Sequence, residues 1–144
     1  IVVIITLFVT LTLKAQIHKP VVWSYAAKKI SKNETVIYLK ATIEDGWHMY
    51  SNGQKGEGPV KTSLKFMQSN DFNLIGKMIE PKPITKYDDT FEMNISYFEK
   101  LGILQQKVRL NKPIATVKGS LEFMVCNNLE YLPPETVNFN ILIN

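Results

Sequence analysis

One cysteine in 144 residues, Cys126, is the scarcest feature of this sequence, and a single thiol excludes an internal disulfide. The fold must therefore rest on its core. Two histidines, His18 and His48, lie far apart, and neither sits in a His-Glu-x-x-His zinc motif. There is no phosphate-cradling glycine loop and no Gly-x-Ser-x-Gly elbow for a nucleophile. The basic residues never form a run of five; they are scattered through "AKKISK", "KPITK" and "QQKVRL". A formal net charge of +4 spread that way favours solubility and leaves no nucleic-acid footprint. No stretch long enough for a helix keeps a clean 3.6-residue period. The chain also lacks internal repeats and low-complexity tracts, and its length suits one domain with one core.

The longest apolar run, "IVVIITLFVTLTL" at residues 1–13, is too short for a membrane span, which needs about 20 residues. It suits the apolar region of a secretory signal peptide, with "LKAQ" placing cleavage after Ala15. No initiator methionine or basic stretch precedes it, so the signal is read as shortened at its start. Its Ile, Val and Thr content also suits a buried first strand. The expectation is export to the periplasm, with residues 16–144 forming the mature domain. Removing residues 1–15 takes away one charged residue, Lys14.

What remains reads as strands. "VVWSYAAKKI" (21–30) is β-branched and aromatic, and "SKNE" follows as a turn. In "TVIYLKATI" (35–43), Ile37, Leu39, Ala41 and Ile43 form one apolar face. "WHMYS" (47–51) is an extended aromatic segment, and "NGQKGEGP" (52–59) is a glycine-rich loop. "TSLKFMQ" (62–68) and "FNLIGKMIE" (72–80) are further strands, the second interrupted by Gly76. "PKPITKYDDT" (81–90), with two prolines and two adjacent aspartates, is expected to be a surface loop. "FEMNISYFE" (91–99) and "LGILQQKVRL" (101–110) are expected to pair with each other around Lys100. "TVKGSLEFMVC" (116–126) and "TVNFNILI" (136–143) close the set, the latter placing Val137, Phe139, Ile141 and Ile143 on one face. Short strands with frequent turns predict an all-β fold, an immunoglobulin-like antiparallel β-sandwich.

Alternation through "GSLEFMVCNN" puts Leu121, Phe123 and Val125 on one face, and Glu122, Met124 and Cys126 on the other. The thiol therefore faces away from the main core, toward solvent or a covering loop. If residues 126 and 131 flank a four-residue turn, they oppose each other at about 4.5–5.5 Å between Cβ atoms. Slight adjustment would permit a disulfide at that separation. Position 131, however, is Tyr.

"VCNNLEYLPPETVNF" resembles the cysteine hairpin of the N-terminal domain of the thiol:disulfide interchange protein DsbD, and most of all the short exported relatives of that domain. "VVWSY", "IEDGWHMYS", "GPVKTSLKF" and "IGKMIEPKPITKYDDTFEMNISYF" resemble successive segments of the same family, from about residue 20 to the C-terminus. The resemblance implies an immunoglobulin-like sandwich in the periplasm. It also implies electron transfer from a membrane-embedded carrier to periplasmic thiol–disulfide proteins. By this resemblance Cys126 is the first cysteine of a reactive pair, and Tyr131 stands where the second belongs. Phe91 matches the aromatic shield of a cap loop, with Asp88, Asp89 and Glu92 as neighbouring acids. His48 and Tyr50 match aromatic positions beside the thiol. A dithiol–disulfide cycle needs one thiol to attack and another to resolve, so this chain departs from the family at the resolving step.

Each of these residues also has a plainer reading. Free cysteine is commonly a small buried hydrophobe, and Glu122 and Glu130 would raise the Cys126 pKa. Phe91 also fits a core position, Asp88 and Asp89 fit solvated turn acids, and His48 fits a packed aromatic. Cys126, Met124, Met49 and His48 are ligand types that suit copper(I), but no close ligand spacing marks a site, so neither metal nor cofactor is expected. A monomer is expected, with a disulfide-linked dimer through Cys126 as the alternative. Two functions therefore stand open: thiol–disulfide interchange through one cysteine, or a redox-silent immunoglobulin-like module of the envelope that binds a protein partner. A purely structural sandwich within a larger envelope assembly is a third.

Overall fold

Alternation in the sequence becomes strand pairing along most of the chain. The structure is a computed structural model that describes residues 16–144; the apolar opening segment and its expected cleavage after Ala15 lie outside the described residues. Eleven strands follow in order: β1 (Val21–Lys29), β2 (Glu34–Ile43), β3 (His48–Tyr50), β4 (Ser63–Phe66), β5 (Phe72–Ile79), β6 (Ile84–Asp88), β7 (Met93–Phe98), β8 (Leu101–Leu110), β9 (Ala115–Phe123), β10 (Val125–Cys126) and β11 (Glu135–Ile143).

They form an immunoglobulin-like antiparallel β-sandwich. One sheet runs β1-β2-β8-β5 and the facing sheet β11-β9-β4. Ile37 and Leu39 of β2, Leu104 and Val108 of β8, and Val117 and Leu121 of β9 are fully buried in one cluster with Phe139, Ile141 and Ile143 of β11. Leu39 lies directly opposite Leu104 across the β2–β8 ladder. Each such side chain contributes about 1.5–3 kcal/mol through burial. Gly119 is required where β9 runs between β4 and β11: a Cβ there would strike the Lys65 carbonyl oxygen and the Phe139 ring. Gly76, at φ 67°, marks the register shift between Ile75 and Ile79 in β5. Buried Gln106 donates through Nε2 to the carbonyls of Ile75 (3.2 Å) and Gly76 (3.3 Å) there, satisfying backbone groups the irregular ladder leaves open.

A third sheet, β10-β3-β7-β6, carries the features of interest. It exists because the chain steps out of β9 at Met124 and resumes as β10, paired with β3. The Met124 carbonyl, freed from the β9 ladder, accepts from the Tyr50 amide at 3.2 Å. One strand thus serves two sheets, a device that makes corners in sandwiches.

Two expectations are corrected here. Residues 84–88 are a strand, not part of a surface loop: β6 pairs with β7 from Ile84↔Tyr97 to Asp88↔Met93. Its residues are exposed from Ile84 to Tyr87, so no alternation marks it, and backbone pairing alone makes it a strand. Nor do the segments on either side of Lys100 pair with each other. β7 pairs with β3 and β6, whereas β8 pairs with β2 and β5. Lys100, at φ 62°, turns the chain from one sheet into another. Alternation defines which face a strand buries but not which strand becomes its neighbour.

Candidate functional site

The cysteine hairpin is built by its own turn. Asn127 Oδ1 accepts from the amides of Leu129 and Glu130, both at 2.8 Å, and the Asn127 amide donates to the Glu130 carbonyl at 2.9 Å. This Asx-type turn brings Cys126 and Tyr131 into an antiparallel bridge, and the Leu132 amide closes on the Val125 carbonyl at 3.0 Å. The expected opposition of positions 126 and 131 is thus present in the backbone. Leu129 projects from the tip almost fully exposed, and Tyr131 is 41% exposed.

Cys126 is 8% exposed and belongs to a second, smaller cluster with Tyr50, Ile95 and Tyr97. Phe91, Met93 and Met124 pack against it. The thiol does face away from the main core, as alternation implies, but toward this cluster rather than open solvent. Burial pushes the Cys126 pKa up, the nearby Tyr50 hydroxyl pulls it partly back, and the Asp88 carboxylate raises it further. The acid that acts on the sulfur is Asp88, not Glu122 or Glu130, which are exposed. Tyr50 is itself pushed far above the ordinary phenol range, first by burial and then by Cys126. Its hydroxyl is buried with no regular hydrogen-bond partner among the described residues. The hydroxyl lies beside the thiol without a well-formed bond between them.

Above the cluster lies the β6–β7 turn. Asp88 Oδ1 accepts from the amides of Thr90 (2.8 Å) and Phe91 (3.1 Å), so one carboxylate shapes the turn that presents Phe91. Glu92 completes it at φ 53°. The Phe91 ring meets Tyr131 edge-on, with centroids 5.7 Å apart and planes at 90°. Phe91 is half-buried, between the core and cap readings, and it touches the cluster that holds the thiol. A cleft of about 340 Å³ opens beside the sulfur, lined among others by His48, Tyr50, Asp88, Asp89, Cys126 and Tyr131. Glu92 is exposed and does not line it.

His48 is the cross-strand partner of Cys126. Its ring stacks on Tyr97 at 4.3 Å between centroids, and Nε2 pairs with Glu99 Oε1 at 2.9 Å. The four ligand types considered for copper divide: Met49 belongs to the main core, whereas Cys126 and Met124 belong to the second cluster. Among the described residues no three His, Cys, Asp or Glu side chains converge.

Three contributors are additions to the residues picked out in the sequence. Asn127 carries a local signal, an Asn-Asn pair directly after the cysteine. Glu80 and Gln54 carry none. Glu80 accepts from the amides of Asn52 (2.9 Å) and Gly53 (3.0 Å), and buried Gln54 accepts from the Ser96 amide at 2.8 Å. Gln54 ties the glycine-rich loop to β7 and Glu80 ties it to the end of β5, and together they fix the exit of β3.

These features define a class: an immunoglobulin-like sandwich whose cysteine hairpin packs against the β6–β7 turn that carries Phe91. Residues 16–142 match the family described as thiol:disulfide interchange protein DsbD, N-terminal, and the chain belongs to that family. Solved structures agree on the fold. The reduced DsbD N-terminal domain of Neisseria meningitidis superposes with a TM-score of 0.58 at 17% identity, over 87% of this chain and 86% of that one. The N-terminal periplasmic domain of ScsB from Proteus mirabilis gives 0.57 at 19% identity, over 83% of this chain and 44% of that one. A complex between the DsbD and PilB N-terminal domains of Neisseria meningitidis contains a chain that matches at 0.53 and 16% identity, over 83% of this chain and 84% of that one. No curated protein sequence matches significantly.

Proposed function

We propose that this domain takes part in thiol–disulfide interchange in the periplasm through the single thiol of Cys126. The observation that carries the reading is the placement of Cys126 on a cleft beneath the turn shaped by Asp88. Family membership supports the compartment and the chemistry. In the step, the Cys126 thiolate attacks a partner disulfide; a new S–S bond forms, the partner's bond breaks, and a partner thiolate leaves. A further thiol then attacks the partner's sulfur in the mixed disulfide and releases Cys126 as thiolate. With Tyr131 opposite, the resolving thiol comes from outside the chain. Partners are periplasmic thiol–disulfide proteins or a membrane electron carrier, and the domain acts as a monomer without metal or cofactor.

A second reading rests on the edge-on contact between Phe91 and Tyr131. Exposed Tyr87 and Tyr131 line the cleft, and aromatic rims of this sort bind proteins without sulfur chemistry. Capture from a periplasmic extract separates the two. Covalent capture that dithiothreitol releases and Cys126→Ser abolishes supports interchange. Capture that survives Cys126→Ser supports the binding module.

A further inference from the structure

We propose that hydrogen peroxide oxidises Cys126 to a sulfenic acid that the Tyr50 hydroxyl holds by a hydrogen bond. Two independent observations meet here. Cys126 is free and lines a cleft wide enough for a peroxide. Tyr50, 1% exposed and among the residues that line the same cleft, holds a buried hydroxyl beside that thiol with no regular hydrogen-bond partner among the described residues. Buried hydroxyls without partners are rare, and a thiol sulfur is only a weak acceptor. An oxygen bonded to that sulfur supplies the missing acceptor.

The chemistry balances without any further group. The thiolate attacks one peroxide oxygen, an S–O bond forms, the O–O bond breaks, and hydroxide leaves. Sulfur loses two electrons and the peroxide gains them. Sulfenic acids ordinarily vanish by condensing with a neighbouring thiol, but Tyr131 occupies that place opposite Cys126. The oxidised state therefore waits for a partner thiolate, which attacks the sulfur, forms the mixed disulfide and releases hydroxide. This gives Cys126 a route to a mixed disulfide with a reduced partner, and it rests on the reading of Cys126 as a working thiol.

The test treats the full chain with hydrogen peroxide, then with dimedone after increasing delays, and reads intact and peptide masses. The expected result is one dimedone adduct at Cys126, absent from Cys126→Ser. Tyr50→Phe should shorten the sulfenic lifetime roughly fivefold, the factor set by loss of one neutral hydrogen bond, with sulfinic acid appearing in its place. Tyr97→Phe, in the same cluster, should leave the lifetime unchanged. If Tyr50→Phe fails to fold, the wild-type lifetime in urea replaces it and must be the shorter one. Absence of the adduct, or an unchanged lifetime in Tyr50→Phe, overturns the proposal. Exchange with a small aromatic disulfide separates this inference from the interchange reading. Exchange without an adduct overturns the sulfenic acid alone, whereas an adduct that forms even when excess thiol is added between peroxide and dimedone upholds it and overturns interchange.

Discussion

Cys126 and Tyr131 face each other across the turn set by Asn127, in the relation two cysteines of a hairpin disulfide would have, with sulfur on one side only. Restoring the second sulfur should therefore restore a bond. In Tyr131→Cys the opposed Cβ atoms lie within the roughly 3.5–4.5 Å that a disulfide spans, after slight adjustment. Mild oxidation should remove both free thiols from the monomer, read by thiol titration and by a mass lower by two hydrogens. Persistence of two free thiols would mean that the bridge does not set the side-chain geometry.

The turn around Phe91 should govern access to the thiol. Phe91→Ala removes a half-buried ring from both Tyr131 and the second cluster, at a cost of about 1–2 kcal/mol. Alkylation of Cys126 should accelerate several-fold. Asp88→Ala should accelerate it for two reasons: the turn loses the acceptor for two amides, and the thiol loses a carboxylate that raises its pKa.

Stability should depend on alkaline pH through the same sulfur. The folded pKa of Cys126 is raised, chiefly by burial, so the folded state holds its proton more tightly than the unfolded chain does. That stabilisation is complete below the ordinary thiol value of about 8.5 and is lost as pH rises through the folded value. Melting temperature should fall more steeply above pH ~8.5 in the wild type than in Cys126→Ala. Tyr50, raised in the same direction, adds to the fall at still higher pH in both proteins. Parallel profiles would show that Cys126 titrates alike folded and unfolded.

Asn127→Ala should cost about 1–2 kcal/mol, because two amide hydrogen bonds lose their shared acceptor at the hairpin. Leu39→Ala, by contrast, opens a cavity in the main core and should cost about 2–5 kcal/mol. Chemical denaturation of both variants checks the ranking. Thiol reactivity should rise in the hairpin variant and remain near wild type in the core variant while it stays folded.

Burial also decides association. With the thiol 8% exposed under the Phe91 turn, oxidation in air should leave the protein monomeric on a non-reducing gel. A reductant-sensitive dimer would show that the turn opens readily.

Much of this was legible in the chain. Period-two alternation in 35–43 and 136–143 identified the buried faces of β2 and β11, and Gly76 marked the interruption of β5. The opposition of 126 and 131 followed from a four-residue spacing. Neighbour choice was not legible, because β7 and β8 alternate equally well whether paired with each other or parted at Lys100. β6 escaped notice because an exposed edge strand carries no apolar rhythm. The family resemblance set Tyr50 beside the thiol, but the residues alone did not, because that placement depends on the step at Met124, where the chain passes between sheets, and no local pattern encodes that step. Glu80 and Gln54 act through backbone amides far away in sequence, which spacing alone does not reveal.

The central claim is that Cys126 is a working thiol beneath its cap, and its exchange rate with a small aromatic disulfide tests that most directly. The rate is to be followed on the folded wild type and on Phe91→Ala under native conditions. The account predicts complete single-thiol exchange in the folded protein, faster in Phe91→Ala and absent in Cys126→Ser. A thiol that stays silent in both folded proteins and reacts only in denaturant would contradict it, leaving Cys126 as packing and the Tyr131 face as the working surface.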